Sequence, residues 1–241
     1  MKVLILSDIH GNLNALTSVL NDAAVYPIEG LALLGDLIDY GMHSNEVVNI
    51  IKNCNYKVLC NIRGNHEQAV MEEKYDRFFS DRGRESAKYT RDSLSDETWE
   101  YLNNCMSKEG KAVFDIEGKK FLAVHGSLAD EYWKSINAKT DMTAYAEYDY
   151  VLSGHSHIPH FIEEYYKTDD IVHRNKKKTI FINPGSTGQP RNLNNMAQYA
   201  ILDTDSEEVS LKKVKYDIAG EQASFNDKVD VFYKERLESG V

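Results

Sequence analysis

The stretch KVLILSDIHGN, residues 2–12, decides how the rest of the chain is interpreted. Its apolar run VLIL is followed at once by Asp8 and His10, the pattern of a buried strand with polar side chains at its carboxyl end. The next segment, NLNALTSVLNDA, carries leucines at helical spacing after Asn12, a favourable N-cap residue. A strand that ends in polar residues and leads into a helix predicts the first unit of an α/β sheet.

Outward from this unit, the strand–helix rhythm continues and is then interrupted. GLALL (30–34) and YKVLCNI (56–62) predict two further strands, separated by a helix around SNEVVNIIKNC (44–54), which favours a parallel sheet. The charged and aromatic residues 68–104 break this rhythm. They predict a helical insertion beside the sheet, in a position to act as a cap over a site.

Strand patterns return after the insertion and dominate the second half of the chain. KAVFDIEGKKFLAVHG (111–126) predicts a hairpin with its turn at Glu117 and Gly118. Shorter strands follow at YVLSGH, KTIFINPG, AQYAILD and EVSLKKVKY, and DKVDVFYKERLES is a predicted helix. We therefore expect two packed sheets flanked by helices, built as a single α/β domain over residues 1–241.

Length, charge and cysteine content narrow the function. The chain has 241 residues, enough for one sizeable core, and a net charge of −10, which argues against a nucleic-acid scaffold but not against a phosphate substrate. No apolar run approaches the roughly 20 residues that a membrane span needs, and the apolar N-terminal run is too short for a signal peptide. Cys54, Cys60 and Cys105 show no paired spacing, so we expect free thiols and a cytoplasmic location.

Residue types that bind metals recur at the ends of the predicted strands. Each motif alone has an ordinary explanation as a turn or a surface side chain, but their joint occurrence at strand ends favours one converging site. Carboxylate, imidazole and amide ligands without thiolate suit Mn, Fe or Zn, and their number exceeds the need of one ion, which suits two ions that share a ligand. The candidate ligands are Asp8, His10, Asp36, Asn65, His125, His155 and His157.

The order D-x-H, G-D, G-N-H-E, H-G and G-H-x-H resembles the calcineurin-like metallophosphoesterase superfamily. The likeness runs from Asp8 to His157 and continues through NPGSTGQPR, residues 183–191. This last segment and ESAKYTRDSLS look like the bacterial branch of predicted phosphodiesterases, similar to the YfcE-type and asymmetric dinucleoside-tetraphosphatase-like proteins. The resemblance implies a four-layer α/β/β/α sandwich.

The same resemblance implies roles for the candidate residues. Asp36 would bridge the two ions, a hydroxide between them would attack phosphorus, and His66 would protonate the leaving group as general acid. One ion would be held by Asp8, His10, Asp36 and His157, and the other by Asp36, Asn65, His125 and His155.

Several residues are candidates for substrate contact. Arg63 in IRGNHE is expected to contact a phosphate, and Arg191 is a stronger candidate because its loop follows a strand near the expected site. Tyr40 stands where protein serine/threonine phosphatases carry the arginine of a D-R-G run, and it is either a stacking partner for a nucleobase or a structural residue. Other residues could contact a polyphosphate or serve only as solvated helix face and turn. They are Arg84, Lys88 and Arg91 in the insertion, and Ser186 and Thr187 in the 183–191 loop.

The segment VLSGHSHIPHF contains three histidines with different expected roles. His155 and His157 lie two residues apart, so an extended backbone would project both to the same side and let each reach one ion. His160 follows Pro159 at an odd offset and is interpreted as a bystander.

Together, these features predict a dinuclear-metal phosphoesterase that hydrolyses a phosphodiester or a nucleotide polyphosphate such as dinucleoside tetraphosphate. The expected partner is a small phosphorylated molecule, preferably a nucleotide, and not a membrane or a nucleic acid. A homodimer is compatible with the resemblance. The alternatives are a phosphomonoesterase or serine/threonine protein phosphatase, a metal-binding scaffold without catalysis, and a nuclease, which the acidic balance disfavours.

Overall fold

Two five-stranded sheets form the centre of the computed structural model, which describes residues 1–169 and 177–241. The strands are Lys2–Leu6 (β1), Gly30–Leu33 (β2), Lys57–Asn61 (β3), Lys111–Ile116 (β4), Lys119–Val124 (β5), Tyr150–Ser153 (β6), His160–Tyr165 (β7), Lys178–Asn183 (β8), Ala197–Asp203 (β9) and Glu208–Val214 (β10). The spatial orders are β10-β9-β1-β2-β3 and β4-β5-β6-β8-β7. Both sheets are mixed, because β1–β2–β3 and β5–β6–β8 are parallel while the remaining pairs are antiparallel.

Helices follow several of the strands and lie against the first sheet. They are Leu13–Ala23 (α1), Ser44–Lys52 (α2), Asn65–Glu72 (α3), Asp81–Ser93 (α4), Asp96–Asn104 (α5), Ile218–Ala223 (α6) and Val231–Ser239 (α7). The side chain of Asn12 accepts a hydrogen bond from the backbone N–H of Ala15, which gives α1 its predicted N-cap. The predicted hairpin turn also forms, with Glu117 and Gly118 both at positive φ between β4 and β5.

The alternation of side chains along the strands produces the layers. Val3 and Ile5 of β1 point into a core shared with the second sheet, which contributes Phe121 and Tyr150. Leu4 belongs to the core between the first sheet and the helices. The outer face of the second sheet is covered by a further cluster that includes side chains from residues 136–145. The architecture is therefore two packed mixed sheets flanked by helices, as expected from the sequence.

The insertion packs against the helical side of the first sheet. It contains the end of α3, a 3-10 turn at Tyr75–Arg77, and the helices α4 and α5. Ala87 of α4 and Leu102 of α5 are fully buried in the same cluster as Leu16 of α1, so the insertion shares the core of the sheet. Its N-caps are Ser80 and Ser95, whose side chains accept from backbone N–H groups inside α4 and α5.

The parallel strands bring the polar loops to one edge. The backbone N–H of Asp8, after β1, donates to the carbonyl of Gly35, after β2, at 3.1 Å. The N–H of Gly154, after β6, donates to the carbonyl of His125, after β5, at 3.0 Å. Gly188, beyond β8, donates to the carbonyl of Asp8 at 3.1 Å, which links the loops of the two sheets.

Two other expectations concern membranes and thiols. Within the described residues, every helix is too short or too polar to cross a membrane. Cys54, Cys60 and Cys105 are free thiols, as expected, while the cytoplasmic location stays a prediction.

Candidate metal centre

The predicted ligands meet where the loops of the two sheets touch. We call this set the ligand cluster. Nearly all of it is buried, and the loops that carry it begin at the ends of strands β1, β2, β3, β5 and β6. Its members are Asp8, His10, Asp36, Asn65, His125, His155 and His157.

Left-handed backbone turns aim these side chains. Asp8, His10 and Asp36 have φ between 51° and 54°, a region that residues other than glycine seldom occupy. Each such residue costs on the order of 1–3 kcal/mol, and it persists only where the surroundings enforce it. His155 (φ 63°) and His157 (φ 56°) share this conformation, so the extended geometry predicted for the G-H-x-H segment is wrong. The two histidines belong to different groups of acceptor atoms, His157 with Asp8 and His155 with His125.

One group of acceptor atoms surrounds a point between the two sheets. Ligand atoms of Asp8, His10, Asp36 and His157 all lie within 4.8 Å of one another. The Nδ1 of His157 donates to the carbonyl of Gln189 at 2.5 Å, and that of His10 faces the carbonyl of Ile38 at 3.3 Å. These contacts leave the two Nε2 atoms as lone-pair acceptors, only 3.2 Å apart.

A second group shares Asp36 with the first. The Nδ1 of His125 donates to the carbonyl of Leu34 at 2.7 Å, and its Nε2 lies 3.3 Å from Asp36 Oδ2. The same Nε2 is 3.0 Å from Asn65 Oδ1, and Nδ1 of His155 is 2.9 Å from that oxygen. The ligand atoms of Asp36, His125 and His155 also lie within 4.8 Å of one another.

One contact of the first group fits a metal ion better than it fits a hydrogen bond. Asp8 Oδ1 is buried and accepts no hydrogen bond, although His157 Nε2 is 3.2 Å away, because that nitrogen is itself an acceptor. Buried polar groups normally have partners, so facing acceptors without a proton between them call for a cation. The second ring nitrogens are held by backbone carbonyls, as is usual for metal-binding histidines.

Electrostatics keeps most of the cluster in the form that binds metal. Burial lowers the pKa of His155 to about 3 and that of His157 to about 4, so both imidazoles are neutral at pH 7. Burial alone would raise the pKa of Asp36, but the imidazoles of His125 and His66 hold it well below its ordinary value. His125 differs: burial opposes its protonation, yet the Asp36 carboxylate raises its pKa to about 9. A metal ion held by this group would replace the proton on His125 Nε2.

His66, the predicted general acid, has a carboxylate partner that the sequence analysis missed. Asp39 Oδ2 accepts a hydrogen bond from His66 Nδ1 at 2.6 Å. Its other oxygen, Oδ1, accepts from the hydroxyls of Ser86 (2.6 Å) and Thr90 (2.9 Å) on α4, so the insertion helps to hold the pair. Burial alone would lower the pKa of His66, but the carboxylates of Asp36 and Asp39 raise it. The only signal in the sequence is a second acidic residue shortly after Asp36 in GDLIDYG.

Glu67 is a second missed residue, with a structural role. Its buried carboxylate accepts from the backbone N–H groups of Asp36 (2.8 Å), Leu37 (2.7 Å) and Gly64 (2.8 Å). A side chain at Gly64 would collide with Asp36, since its Cβ would lie 2.1 Å from Asp36 Oδ1. The final residues of G-N-H-E therefore tie the loop after β3 to the loop after β2.

A cavity of about 200 Å³ opens beside the ligand cluster. We call four of its lining residues the rim: Phe78, Phe79, Ser80 and Trp133. The remaining lining residues are Asp36, Tyr40, Asn65, His66, His155, His157 and Arg191.

Of the predicted substrate contacts, Arg191 lines this cavity and Arg63 does not. Among the described residues, the Arg191 side chain has no hydrogen bond or ion pair, and its Nε is buried without a partner. Arg63 donates instead to the carbonyl of Leu102 at the end of α5, at 2.9 Å. Arg63 lies outside the cavity lining and ties the insertion to the loop after β3, so its contact with a phosphate stays a prediction that this cavity does not support.

Tyr40 lines the cavity but is held by protein on several sides. Its ring stacks on Tyr233 of α7 at a centroid distance of 4.1 Å and contacts the rings of His10 and His66 at 4.6 Å and 4.4 Å. Only 8% of the residue is exposed. A nucleobase would find little free face there, which favours the structural alternative for Tyr40.

The basic helix face of the insertion lies outside the cavity lining. Arg84 pairs with Asp81 and Lys88 pairs with Glu85, each on α4 itself. Arg91 pairs with Glu73 at 3.0 Å and lies over the Trp99 ring. The insertion instead reaches the cavity through Phe78, Phe79 and Ser80.

The side chains of Ser186 and Thr187 in the 183–191 loop hydrogen-bond to backbone carbonyls around the site. Ser186 Oγ donates to the carbonyl of Asp8 at 2.7 Å, and Thr187 Oγ1 donates to that of Gln198 at 3.0 Å; both side chains are fully buried. They shape the loop, as the structural alternative held. His160 begins β7 and lies outside both acceptor groups and the cavity lining.

Comparisons with known proteins agree with this arrangement. Residues 1–207 match the calcineurin-like phosphoesterase superfamily domain. The uncharacterized protein MJ0912 of Methanocaldococcus jannaschii is 31% identical over 224 residues, 90% of this chain and 88% of that protein. The crystal structure of a metallophosphoesterase from Sphaerobacter thermophilus is 28% identical, with a TM-score of 0.77 and full coverage of both chains.

A more distant structural likeness concerns the fold alone. The YfcE phosphoesterase of E. coli shares the fold at 21% identity and a TM-score of 0.52, over 90% of this chain and all of that one. The match over residues 1–207 confirms, at the level of the superfamily, the resemblance predicted from the motifs. The chain belongs to the calcineurin-like phosphoesterase superfamily, and it is a hydrolase that acts on phosphate esters.

Proposed function

We propose that this chain hydrolyses a phosphodiester or a nucleotide polyphosphate, using two metal ions held by the ligand cluster. The observation that carries the proposal is that two groups of acceptor atoms, each suited to one ion, share the carboxylate of Asp36. Each group combines carboxylate and imidazole donors, which suits Mn, Fe or Zn. When bound, such ions supply a water-derived nucleophile at neutral pH and charge stabilisation for the phosphoryl oxygens.

In this proposal His66 is the general acid. Its Nδ1 is engaged by Asp39, so Nε2 carries the proton that faces the cavity. A raised pKa keeps that proton in place near neutral pH, and the leaving oxygen of the substrate receives it as the bond to phosphorus breaks. Asp39 stabilises the protonated ring and fixes its orientation.

Arg191 is the proposed phosphate contact. Its guanidinium lines the cavity without a carboxylate partner among the described residues, so binding a phosphate breaks no existing ion pair. The planar fork of Arg matches two phosphoryl oxygens. A diester or an internal polyphosphate group presents two such oxygens together with an arm on either side.

Substrate profiling after metal loading tests this function. The Mn²⁺-loaded protein is assayed with bis(p-nitrophenyl) phosphate, p-nitrophenyl phosphate and dinucleoside tetraphosphate, and nucleotide products are resolved by chromatography. We expect turnover of the diester or the tetraphosphate to exceed that of the monoester. A preference for the monoester would replace the proposal with a phosphomonoesterase, and no turnover of any substrate would favour a metal-binding scaffold.

A further inference from the structure

The rim of the cavity contains an aromatic side chain that the proposed chemistry does not use. Phe79 is fully exposed, with a relative accessibility of 102%, yet it belongs to the lining of the same cavity as His66 and Arg191. The lining contains three other large aromatic side chains, and each contacts a neighbouring ring of the protein. Phe78 packs on His66, Tyr40 stacks on Tyr233, and Trp133 packs on Phe78. Phe79 therefore presents both faces of its ring to whatever enters the cavity.

The position of Phe79 is set by its neighbours on both sides. The preceding Phe78 is buried, and its ring contacts those of His66 at 5.0 Å and Trp133 at 5.2 Å. The following Ser80 is the N-cap of α4 and accepts from the N–H of Gly83 at 3.3 Å. One neighbour ties the segment to the site and the other ties it to the insertion, so the backbone that carries the exposed ring is fixed beside the cavity.

The size of the cavity shows which part of a substrate meets this ring. About 200 Å³ accommodates a phosphoryl group beside His66 and Arg191 but not the whole of a nucleotide. The organic arm of the ester must therefore extend out of the cavity toward solvent, and Phe79 is a fully exposed residue of the lining. A flat, exposed ring at that point offers offset stacking to a flat group. Every nucleobase has such a flat face, so the ring can hold any of them.

We propose that Phe79 is a specificity-determining platform on which the base of a nucleotide substrate stacks, while the phosphate lies against Arg191. This inference rests on the proposed function and narrows its substrate class to phosphate compounds that carry a nucleoside arm. It also gives the insertion a role in recognition through one exposed ring rather than through its basic helix face.

A matched pair of ligands isolates the contribution of the base. Adenosine monophosphate and ribose 5-phosphate share the phosphate and the sugar, and only the first carries a base. Their dissociation constants for the Mn²⁺-loaded protein are measured by calorimetry. We expect the wild type to prefer adenosine monophosphate, and Phe79→Ala to reduce the preference by about tenfold, in line with the loss of one base–aromatic stack.

Variants separate stacking from other effects. Phe79→Trp should keep the preference, whereas Phe79→Leu, which is apolar but not planar, should lose most of it. Phe161→Ala removes a half-exposed ring on β7, outside the cavity lining. It should leave the dissociation constants of both ligands unchanged. Because Phe79 is fully exposed, its variants should unfold at the wild-type temperature.

The outcomes distinguish this inference from the function on which it rests. Equal affinities of the wild type for the two ligands, or a preference unchanged in Phe79→Ala or retained in Phe79→Leu, would overturn it. Binding by calorimetry does not require turnover. An intact base preference in a protein that hydrolyses none of the three phosphate esters would therefore support the stacking platform and remove only the hydrolytic proposal.

Discussion

The ligand cluster and the rim border the same cavity but are built in opposite ways. The ligand cluster draws its buried side chains from loops of both sheets, and backbone carbonyls or N–H groups fix many of them. The rim comes from one short segment of the insertion and from Trp133, and Phe79 stands free in solvent. Bringing lone pairs together at one point requires several strands and loops to be placed relative to one another. Lining the side of a cavity requires only a short segment attached to a fold that already exists.

The largest effect is expected from breaking the ligand cluster at its shared carboxylate. Asp36→Asn keeps the volume but removes the charge that both acceptor groups use. We expect turnover to fall by more than about 100-fold, beyond the range typical of changes to outer-sphere partners. We also expect the Mn²⁺-dependent rise in melting temperature to disappear, because that rise reflects binding to the folded state. Turnover assays and thermal melts with and without Mn²⁺ measure both.

Asp227→Asn is the matched control for this change. Asp227 is an exposed carboxylate outside both acceptor groups. Its variant should keep the turnover and the metal-dependent melting shift of the wild type. If Asp36→Asn kept the full melting shift, the shared-ligand arrangement would be wrong.

The next effect concerns the acid beside the cluster. His66→Ala should lower kcat by about 100-fold or more, the scale of general acid catalysis, with metal content near that of the wild type. The reason is that His66 lines the cavity while lying outside both groups of acceptor atoms. Metal analysis by plasma spectrometry, together with kcat, checks this prediction. Unchanged turnover would rule out the acid role.

Asp39→Asn tests the partner of that acid through pH dependence. A general acid must be protonated, so kcat falls as the pH rises through its pKa, which Asp36 and Asp39 raise. Removal of the Asp39 charge lowers that pKa, and the alkaline limb of the pH–kcat profile should move to lower pH. A purely structural role for Asp39 would reduce kcat at every pH without moving the limb.

The two arginines predicted to bind phosphate should now behave differently. Arg191→Ala should raise KM by about tenfold, the scale of a hydrogen bond to a charged group, with little change in melting temperature. Arg63→Ala should leave KM unchanged and lower the melting temperature, since it frees the carbonyl of Leu102. Steady-state kinetics and thermal melts on both variants make the comparison. A raised KM in Arg63→Ala alone would reverse the assignment.

The smallest effect is expected on the basic face of the insertion. Arg84→Ala and Lys88→Ala break only exposed ion pairs within α4, which contribute about 0.5 kcal/mol or less. KM should change by less than about twofold, because changes of this size in a surface pair do not reach the cavity. A large rise in KM for either variant would indicate that the basic face does contact the substrate.

The identity of the ligand cluster could be predicted because each ligand follows an apolar strand, and parallel strands end at one edge. The direction of the side chains could not. His155 and His157 were expected on an extended backbone, but both adopt left-handed turns that only packing against the loop after β1 and the 183–191 loop enforces. Contacts between segments that are distant in the chain enforce this strain, so it produces no periodic pattern in the sequence.

The sequence by itself determined the order of elements and the residues able to bind metal, since both depend on local apolar patterns and on ligand chemistry. Tertiary structure alone decided which charged groups face the cavity. Arg63 and Arg191 have the same chemistry, yet Arg63 donates to the carbonyl of Leu102 and Arg191 lines the cavity. It also paired Asp39 with His66 and left Phe79 exposed, because these outcomes depend on where an insertion folds back and not on the residues that compose it.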